Sequence, residues 1–309
     1  MTTTEFKPFE RRISDQLLAA ISNESLFTGP LKADIHGSAQ TKSSVFPTIR
    51  QARMDFYHQG GKLFSYNKTG FCTHLKYALG VDEVEKLRPE IRESDLPHLK
   101  HITSFASGYP SIKALCSLHA GDEARTVSQL WGQFSFAVPG NEVLPVVVLD
   151  VEASFDARAR DDASNDQDRI DLVLLNTLDR SLLFVEAKLF GNSALRASEG
   201  AEPEIVGQIA RYKEQVAQQE LQIIKAYSQY VRAMNRLFEL SLPEPESILC
   251  NVPLLIVDFD GDQREGRLSL NKQALAQHHI CCLSIGNLAA AKPNTLKRWY
   301  EKARCPHVG

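Results

Sequence analysis

Two carboxylates and an ammonium group stand close together in the stretch DRIDLVLLNTLDRSLLFVEAKLF, which runs from Asp168 to Phe190. Asp171 lies in one apolar run, Ile170–Leu175, and Glu186-Ala187-Lys188 closes a second, Ser181–Lys188, with a polar turn at Asn176–Arg180 between them. Side chains two apart on a strand share a face, so Glu186 and Lys188 project together. A hairpin brings Asp171 beside them. Phosphodiester hydrolysis needs such a set. Carboxylate oxygens hold Mg²⁺, and a cation lowers the pKa of an attacking water or stabilises the charge that builds on phosphorus. Glu and Lys also decorate edge strands for solubility alone. Here, however, the residues between the charges are Leu, Val, Phe and Ala, the texture of buried strands, where a charge is costly unless paired or metal-bound.

A helix must follow to complete the site. After a loop of small and polar residues, Gly191–Glu202, Pro203 opens a run predicted as one helix to Leu240. Its apolar residues (among them Ile205, Ile209, Tyr212, Val216, Ile223, Tyr227 and Val231) recur near the helical period. Gln208 and Tyr212 are four apart and share a face. Together with the strand motif, this pattern resembles the PD-(D/E)XK nuclease superfamily, in the branch whose helix after the E-x-K strand carries Q-x-x-x-Y. The resemblance spans roughly Asp122 to Phe259, under half of the chain.

The resemblance implies a role for each matching residue. Asp171 corresponds to the first motif acid, with Ile170 in place of the proline that names the superfamily, and Glu186 and Lys188 correspond to the E-x-K pair. Mg²⁺, with Mn²⁺ as a substitute, would be held by Asp171, Glu186 and the Ala187 carbonyl, while Lys188 assists the water. Gln208 and Tyr212 would contact substrate phosphate or position the lysine, and Arg211 between them is a candidate phosphate ligand. Many members carry a further acid on the first helix. Glu123 is the candidate here, although an acid at a helix start is favoured by the dipole without any function. Asp150 and Glu152, on the first strand, compete for that role.

The fold implied is α/β, a restriction-endonuclease-like core with a mixed central sheet flanked by helices. The matching elements are a helix over Glu123–Phe136, a strand over Val143–Phe155, the motif hairpin, the long helix, and a strand over Pro253–Phe259 ended by a turn at Asp260-Gly261-Asp262. The acidic stretch Asp156–Asp168 is expected as a mobile connection. The core occupies residues 121–309 and ends in a short basic helix, Pro293–Ala303.

Residues 1–120 are expected to form an N-terminal α+β extension that embraces the core or contacts the substrate. A helix is predicted over Phe9–Ser22 and a second in SVFPTIRQARMDFY, after Pro47, with turns at Gly60-Gly61 and Lys68-Thr69-Gly70 between short strands. From Lys32 to Lys76 seven Lys and Arg stand against two acids, Asp34 and Asp55. Seven aromatics are interleaved with them: Phe46, Phe56, Tyr57, Phe64, Tyr66, Phe71 and Tyr77. This suits phosphate contacts by Arg50, Arg53 and Lys62 with base stacking, or else an aromatic core under a solvated face.

Composition frames these motifs. The 309 residues are 43% hydrophobic and 24% charged, as in globular chains of one large or two smaller domains. A net charge of −3 does not announce a nucleic-acid binder, so local distribution must carry that reading. Six scattered cysteines without a CxxC pair are expected to be reduced thiols. No apolar run reaches membrane-spanning length, and a cytoplasmic protein without membrane contact is expected. The expected activity is a Mg²⁺-dependent nuclease acting on nucleic acid, foremost DNA, with endo- or exonuclease action and a homodimeric state left open. The alternative is a catalytically inactive nucleic-acid-binding or assembly protein that retains the fold.

Overall fold

Runs rich in β-branched and aromatic residues build two separate sheets, and helices complete a mixed α/β structure around each of them. The computed structural model describes residues 9–38, 42–79, 90–98, 102–155, 169–196 and 202–304. The stretch Asp156–Asp168 lies outside them. The chain divides into two units, one of Arg11–Glu142 with Gln229–Leu242, the other of Val143–Ser228 and Pro243–Gly309 with Met1–Glu10. Among the described residues no helix is long and apolar enough to cross a membrane.

The first unit begins with α1 (Asp15–Ile21), whose Ser14 side chain accepts the Leu17 N–H at 3.2 Å. That cap explains why the helix is shorter than the expected Phe9–Ser22. After α2 (Lys32–His36) come four strands, β1 (Phe46–Arg50), β2 (Arg53–His58), β3 (Gly61–Asn67) and β4 (Gly70–His74). They are followed by α3 (Leu75–Leu79), β5 (Glu90–Arg92), α4 (Phe105–Leu118) and α5 (Asp122–Phe134). The five strands form an antiparallel meander in sequence order. The helix expected over SVFPTIRQARMDFY is instead the β1–β2 hairpin, joined at Gln51-Ala52. Its apolar spacing satisfies either period, and the β-branched and aromatic content decides for strand. Pro47 is tolerated because β1 is an edge strand.

All seven aromatics of this segment are buried. Phe64 packs on Phe105 of α4 at 5.3 Å between ring centroids, and Phe46 on Trp131 of α5 at 5.7 Å. The aromatic pattern therefore builds a core and offers no exposed stacking surface, which corrects the base-stacking expectation.

The second unit carries β6 (Val146–Ser154), β7 (Arg169–Asn176) and β8 (Ser181–Leu189), an antiparallel set. Two helices follow, α6 (Glu204–Gln218) and α7 (Glu220–Phe238), the latter belonging to the first unit from Gln229 onward. The single long helix expected here is interrupted at Gln219, where no glycine or proline announces the break. The chain returns as β9 (Ser247–Leu249) and β10 (Leu254–Val257), both parallel to β8 and flanking different parts of it. Next come α8 (Gly261–Glu265), α9 (Arg267–Gln277), β11 (Cys282–Ile285) parallel to β10, and α10 (Pro293–Arg304). Asp260, expected in a turn, caps α8 by accepting the Gln263 N–H at 2.8 Å. The sheet order is β11-β10-β8-β7-β6, so the motif strands are central and buried. Helix α5, expected as the first helix of this core, belongs to the other unit.

One turn of the first unit is constrained twice. Gln59 and Gly60 link β2 to β3 with φ of 50° and 87°, the conformation that matches hairpin twist. A Cβ on Gly60 would also lie 2.1 Å from the Ala124 Cβ of α5. Gly60→Ala should therefore cost about 2–4 kcal/mol, combining left-handed strain with overpacking. Gly140, with φ of 88°, has open space where a Cβ would stand and should lose only about 1 kcal/mol on the same change. Urea unfolding of the two variants checks this. Equal losses would show that α5 does not press on the turn.

Candidate active site

Strand β7 pairs with β8 from Asn176↔Ser181 to Leu172↔Val185, where the ladder stops. Asp171 is the next residue on β7. Its Oδ2 accepts the Ala187 backbone N–H at 2.7 Å, so a side chain replaces the strand partner at this point. In an extended strand a residue's N–H and C=O point to the same side, so the Ala187 carbonyl faces the same gap. Glu186 and Lys188 flank Ala187 and project to one face, where the Lys188 Nζ donates to Glu186 Oε1 at 2.7 Å. Glu186 is 1% exposed and Lys188 12%.

Helix α6 fixes the carboxylate from above. Gln208 Nε2 donates to the same Glu186 Oε1 at 2.9 Å and to the Tyr212 hydroxyl at 2.7 Å. Tyr212 in turn donates its one proton to the Arg169 carbonyl at 2.6 Å. This order has a consequence for the amide. A phenol that has already given its proton can only accept, so Gln208 must present its NH₂ group to it and to Glu186. The helical spacing of four residues stacks the two side chains, and the pair ties α6 to β7 through Arg169 and to β8 through Glu186. The five residues expected to act together, Asp171, Glu186, Lys188, Gln208 and Tyr212, thus lie in one connected network.

The electrostatics are set by burial. The Asp171 carboxyl is held well above the ordinary carboxylate range, first by desolvation and next by the charge of Glu186. Lys188 and the Ala187 N–H pull it down by less, and Glu152 adds to the rise. Glu152 falls between the pairs Val151↔Leu172 and Ala153↔Ile170, level with Asp171. Its φ of 51° is uncommon for a residue with a side chain. Its Oε2 lies 3.2 Å from Arg169 Nη1.

Of the acids expected to compete as an additional ligand, Glu152 is therefore the one beside Asp171. Asp150 is buried and accepts from the Tyr227 hydroxyl and the Val151 N–H, both at 2.8 Å, which gives it a structural role. Glu123 sits in the first turn of α5, in the other unit.

The donor set suits Mg²⁺. It offers oxygen atoms only, and two neighbouring carboxylates carry an excess of negative charge that a divalent cation would relieve. Among the described residues no three His, Cys, Asp or Glu side chains form a metal cage. Mg²⁺, which retains several waters and takes one or two carboxylates, does not require one.

The remaining expected residues fall elsewhere. Arg211 is exposed on α6, three residues after Gln208. Arg50, Arg53 and Lys62 belong to the first unit. Arg50 is buried, donates to Thr48 Oγ1 and lies over the Tyr57 ring, so it is not a surface phosphate ligand. The reason is that β1 is buried along its whole length. Arg53 pairs with Asp55 at 3.0 Å and Lys62 with Glu90 at 2.9 Å. Nothing in the sequence points to Arg169. Its contribution to the Tyr212 anchor is a backbone carbonyl, for which side-chain identity carries no signal.

The raised Asp171 pKa predicts a pH dependence. Such an acid keeps its proton in the folded state where the unfolded chain has lost it, so stability falls as pH rises from the ordinary value toward the folded one. Asp171→Asn removes that loss and keeps an oxygen for the Ala187 N–H. In EDTA at pH 7 the variant should be the more stable, with the gap narrowing as pH falls toward about 3.9 and absent below it. Mg²⁺ should raise the melting temperature of the wild type and not that of the variant. Parallel pH dependence in the two proteins would take Asp171 out of the coupled pair.

Compared with protein-family models, curated proteins and solved structures, the chain matches none of them.

Proposed function

We propose that this protein is a metal-dependent nuclease that hydrolyses phosphodiester bonds, foremost in DNA, on a restriction-endonuclease-like core in its second unit. The observation that carries the reading is the single network joining Asp171, Glu186, Lys188, Gln208 and Tyr212 at the end of the central strands. A solubilising role for Glu186 and Lys188 fits poorly with their burial and with an amide held in a fixed orientation against Glu186.

Each side chain has a task under this reading. Asp171, Glu186 and the Ala187 carbonyl would hold Mg²⁺, which when bound supplies Lewis-acid polarisation of the phosphate and acidifies a water. Lys188 holds a compact positive charge next to the ligand carboxylate, where it orients the attacking water and stabilises charge on the reacting phosphate. Gln208 keeps Glu186 Oε1 in place and Tyr212 keeps Gln208 in place, so both are positioning residues. Arg211, exposed on the same helix, is the candidate contact for a flanking phosphate. In-line attack leaving a 5′-phosphate follows from the resemblance.

Cleavage of plasmid and single-stranded DNA should require Mg²⁺ and stop in EDTA. Lys188→Met should lower turnover by a factor of about 10² or more while metal and DNA still bind. Lys188→Arg should recover little, because a planar guanidinium does not replace a point charge. Full cleavage by Lys188→Met would sink the mechanism. DNA binding without cleavage in the wild type would favour the inactive binding protein.

The positioning role of Tyr212 has its own signature. Tyr212→Phe loses two hydrogen bonds, to Gln208 and to the Arg169 carbonyl, each worth about 1 kcal/mol, and frees the Gln208 amide to turn. Turnover should fall about 3- to 10-fold with little change in DNA affinity. A loss confined to affinity would instead make Tyr212 a substrate contact.

A further inference from the structure

We infer that Arg169 is a further substrate-contacting residue of the candidate site, its guanidinium binding the reacting phosphate from the side opposite Lys188. This contact rests on the nuclease reading above and adds a residue outside the five side chains of that network.

Register places the residue. Pairing of β6 with β7 runs through Val151↔Leu172, Ala153↔Ile170 and Ser154↔Arg169, which sets Glu152 opposite Asp171. Pairing of β7 with β8 ends at Leu172↔Val185, and counting on from it sets Asp171 opposite Glu186 and Arg169 opposite Lys188. Residues opposite one another on antiparallel strands share a face, as do residues two apart on one strand. Three acids therefore form a row across β6, β7 and β8, and Arg169 and Lys188 stand together on one side of it. Each outer acid holds one of the two cations. Glu186 Oε1 lies 2.7 Å from Lys188 Nζ, and Glu152 Oε2 lies 3.2 Å from Arg169 Nη1. Asp171 lies between the two pairs. Paired cations beside a set of metal-binding acids are the arrangement by which Arg and Lys clamp a reacting phosphoryl group.

The two cations differ in what they present to solvent. Lys188 is 12% exposed and Arg169 60%. Glu152 meets the guanidinium at Nη1, and a guanidinium carries its N–H groups in a flat fork. The exposed part of that fork fits the non-bridging oxygens of a phosphate. Its starting point is fixed, because the Arg169 carbonyl accepts the Tyr212 hydroxyl proton at 2.6 Å. The bond that orders Gln208 thus also anchors the strand from which the guanidinium departs. Stability does not account for the pair with Glu152. An ion pair with a mostly exposed guanidinium contributes little, whereas Glu152 holds a φ of 51°, which is costly for a residue with a side chain.

The test has two arms in the full-length protein. DNA binding is read by fluorescence anisotropy across a salt titration, in Mg²⁺ and on a Lys188→Met background so that the duplex survives. Adding Arg169→Gln should weaken binding about 3- to 10-fold and reduce the log–log salt slope by about 0.9, the loss of one phosphate contact. With Lys188 in place, Arg169→Gln should lower kcat about 10- to 100-fold, and Arg169→Lys should keep the slope but recover little turnover. The rise in melting temperature on adding Mg²⁺ should persist in both variants, since neither removes a carboxylate. An unchanged slope, or an unchanged kcat, in Arg169→Gln overturns the inference. So does their return to normal on adding Glu152→Gln, which would make the guanidinium a counter-charge only. If Arg169→Gln fails to fold, full turnover by Arg169→Lys overturns it instead. Cleavage by the wild type under any of those outcomes leaves the nuclease reading standing. Binding without cleavage in the wild type, with the slope lowered by Arg169→Gln, keeps the phosphate contact and removes the nuclease. No DNA binding by the wild type removes both.

Discussion

A carboxylate buried on a central strand has to be compensated, and the compensation of Glu186 organises the whole candidate site. At 1% exposure its charge has lost most of its hydration. Lys188 answers part of that loss with an opposite charge, and Gln208 answers part with a hydrogen bond to the same oxygen. Neither partner is free to choose its place. Lys188 must be two residues along to share the face, and Gln208 must come from a helix laid across that face. Tyr212 then decides which end of the amide points down, because its only proton is committed to Arg169. Removing any member leaves a buried polar group without its partner, which is more damaging than the loss of one surface hydrogen bond.

The sheet supplies the position and also the strain. Antiparallel pairing on one side of β8 and parallel pairing on the other make β8 the strand where two sheet types meet. Its β7 ladder stops at Val185, just before the charged residues, and a side-chain bond from Asp171 takes over. The gap so formed has backbone and carboxylate oxygens around it and is level with Glu152 at its unusual φ. Asp171 is left with an electrostatic deficit that nothing in its own network removes. A fold selected for stability alone would place an amide or a hydrophobic residue there. Under the proposed nuclease reading, a divalent cation bound beside Asp171 and Glu186 would relieve that deficit.

Much of this was legible in the chain. The motif hairpin could be read because apolar runs were bounded by charges at fixed offsets, and α6 because Gln208 and Tyr212 lay on an amphipathic stripe. What was missed has a physical cause in each case. The β1–β2 hairpin has no Gly, Pro or Asn in its two-residue turn, and its apolar residues fit helical spacing as well as strand alternation. The break at Gln219 is equally silent, since Ala217 to Glu220 are all compatible with helix. Helix α5 is continuous in sequence with the first unit, Arg11–Glu142, and it was read into the core only because the resemblance calls for a helix before the first strand. β9 and β11 are too short, at three and four residues, to show a period of their own.

Net charge was the poorest guide of all. A value of −3 averages over the whole chain, whereas a polyanion feels only the charges within a Debye length of about 8–10 Å. The basic and aromatic segment near the N-terminus, the most suggestive by composition, resolves into a buried core whose cations Arg53 and Lys62 are already paired. Arg169 follows an acidic run and was inconspicuous in sequence; it too is paired, yet strand register sets it opposite Lys188 beside the candidate ligands. Counting charges along the chain reverses the ranking that geometry gives. A cation's use to an anionic partner depends on what stands beside it, and that is decided by strand register.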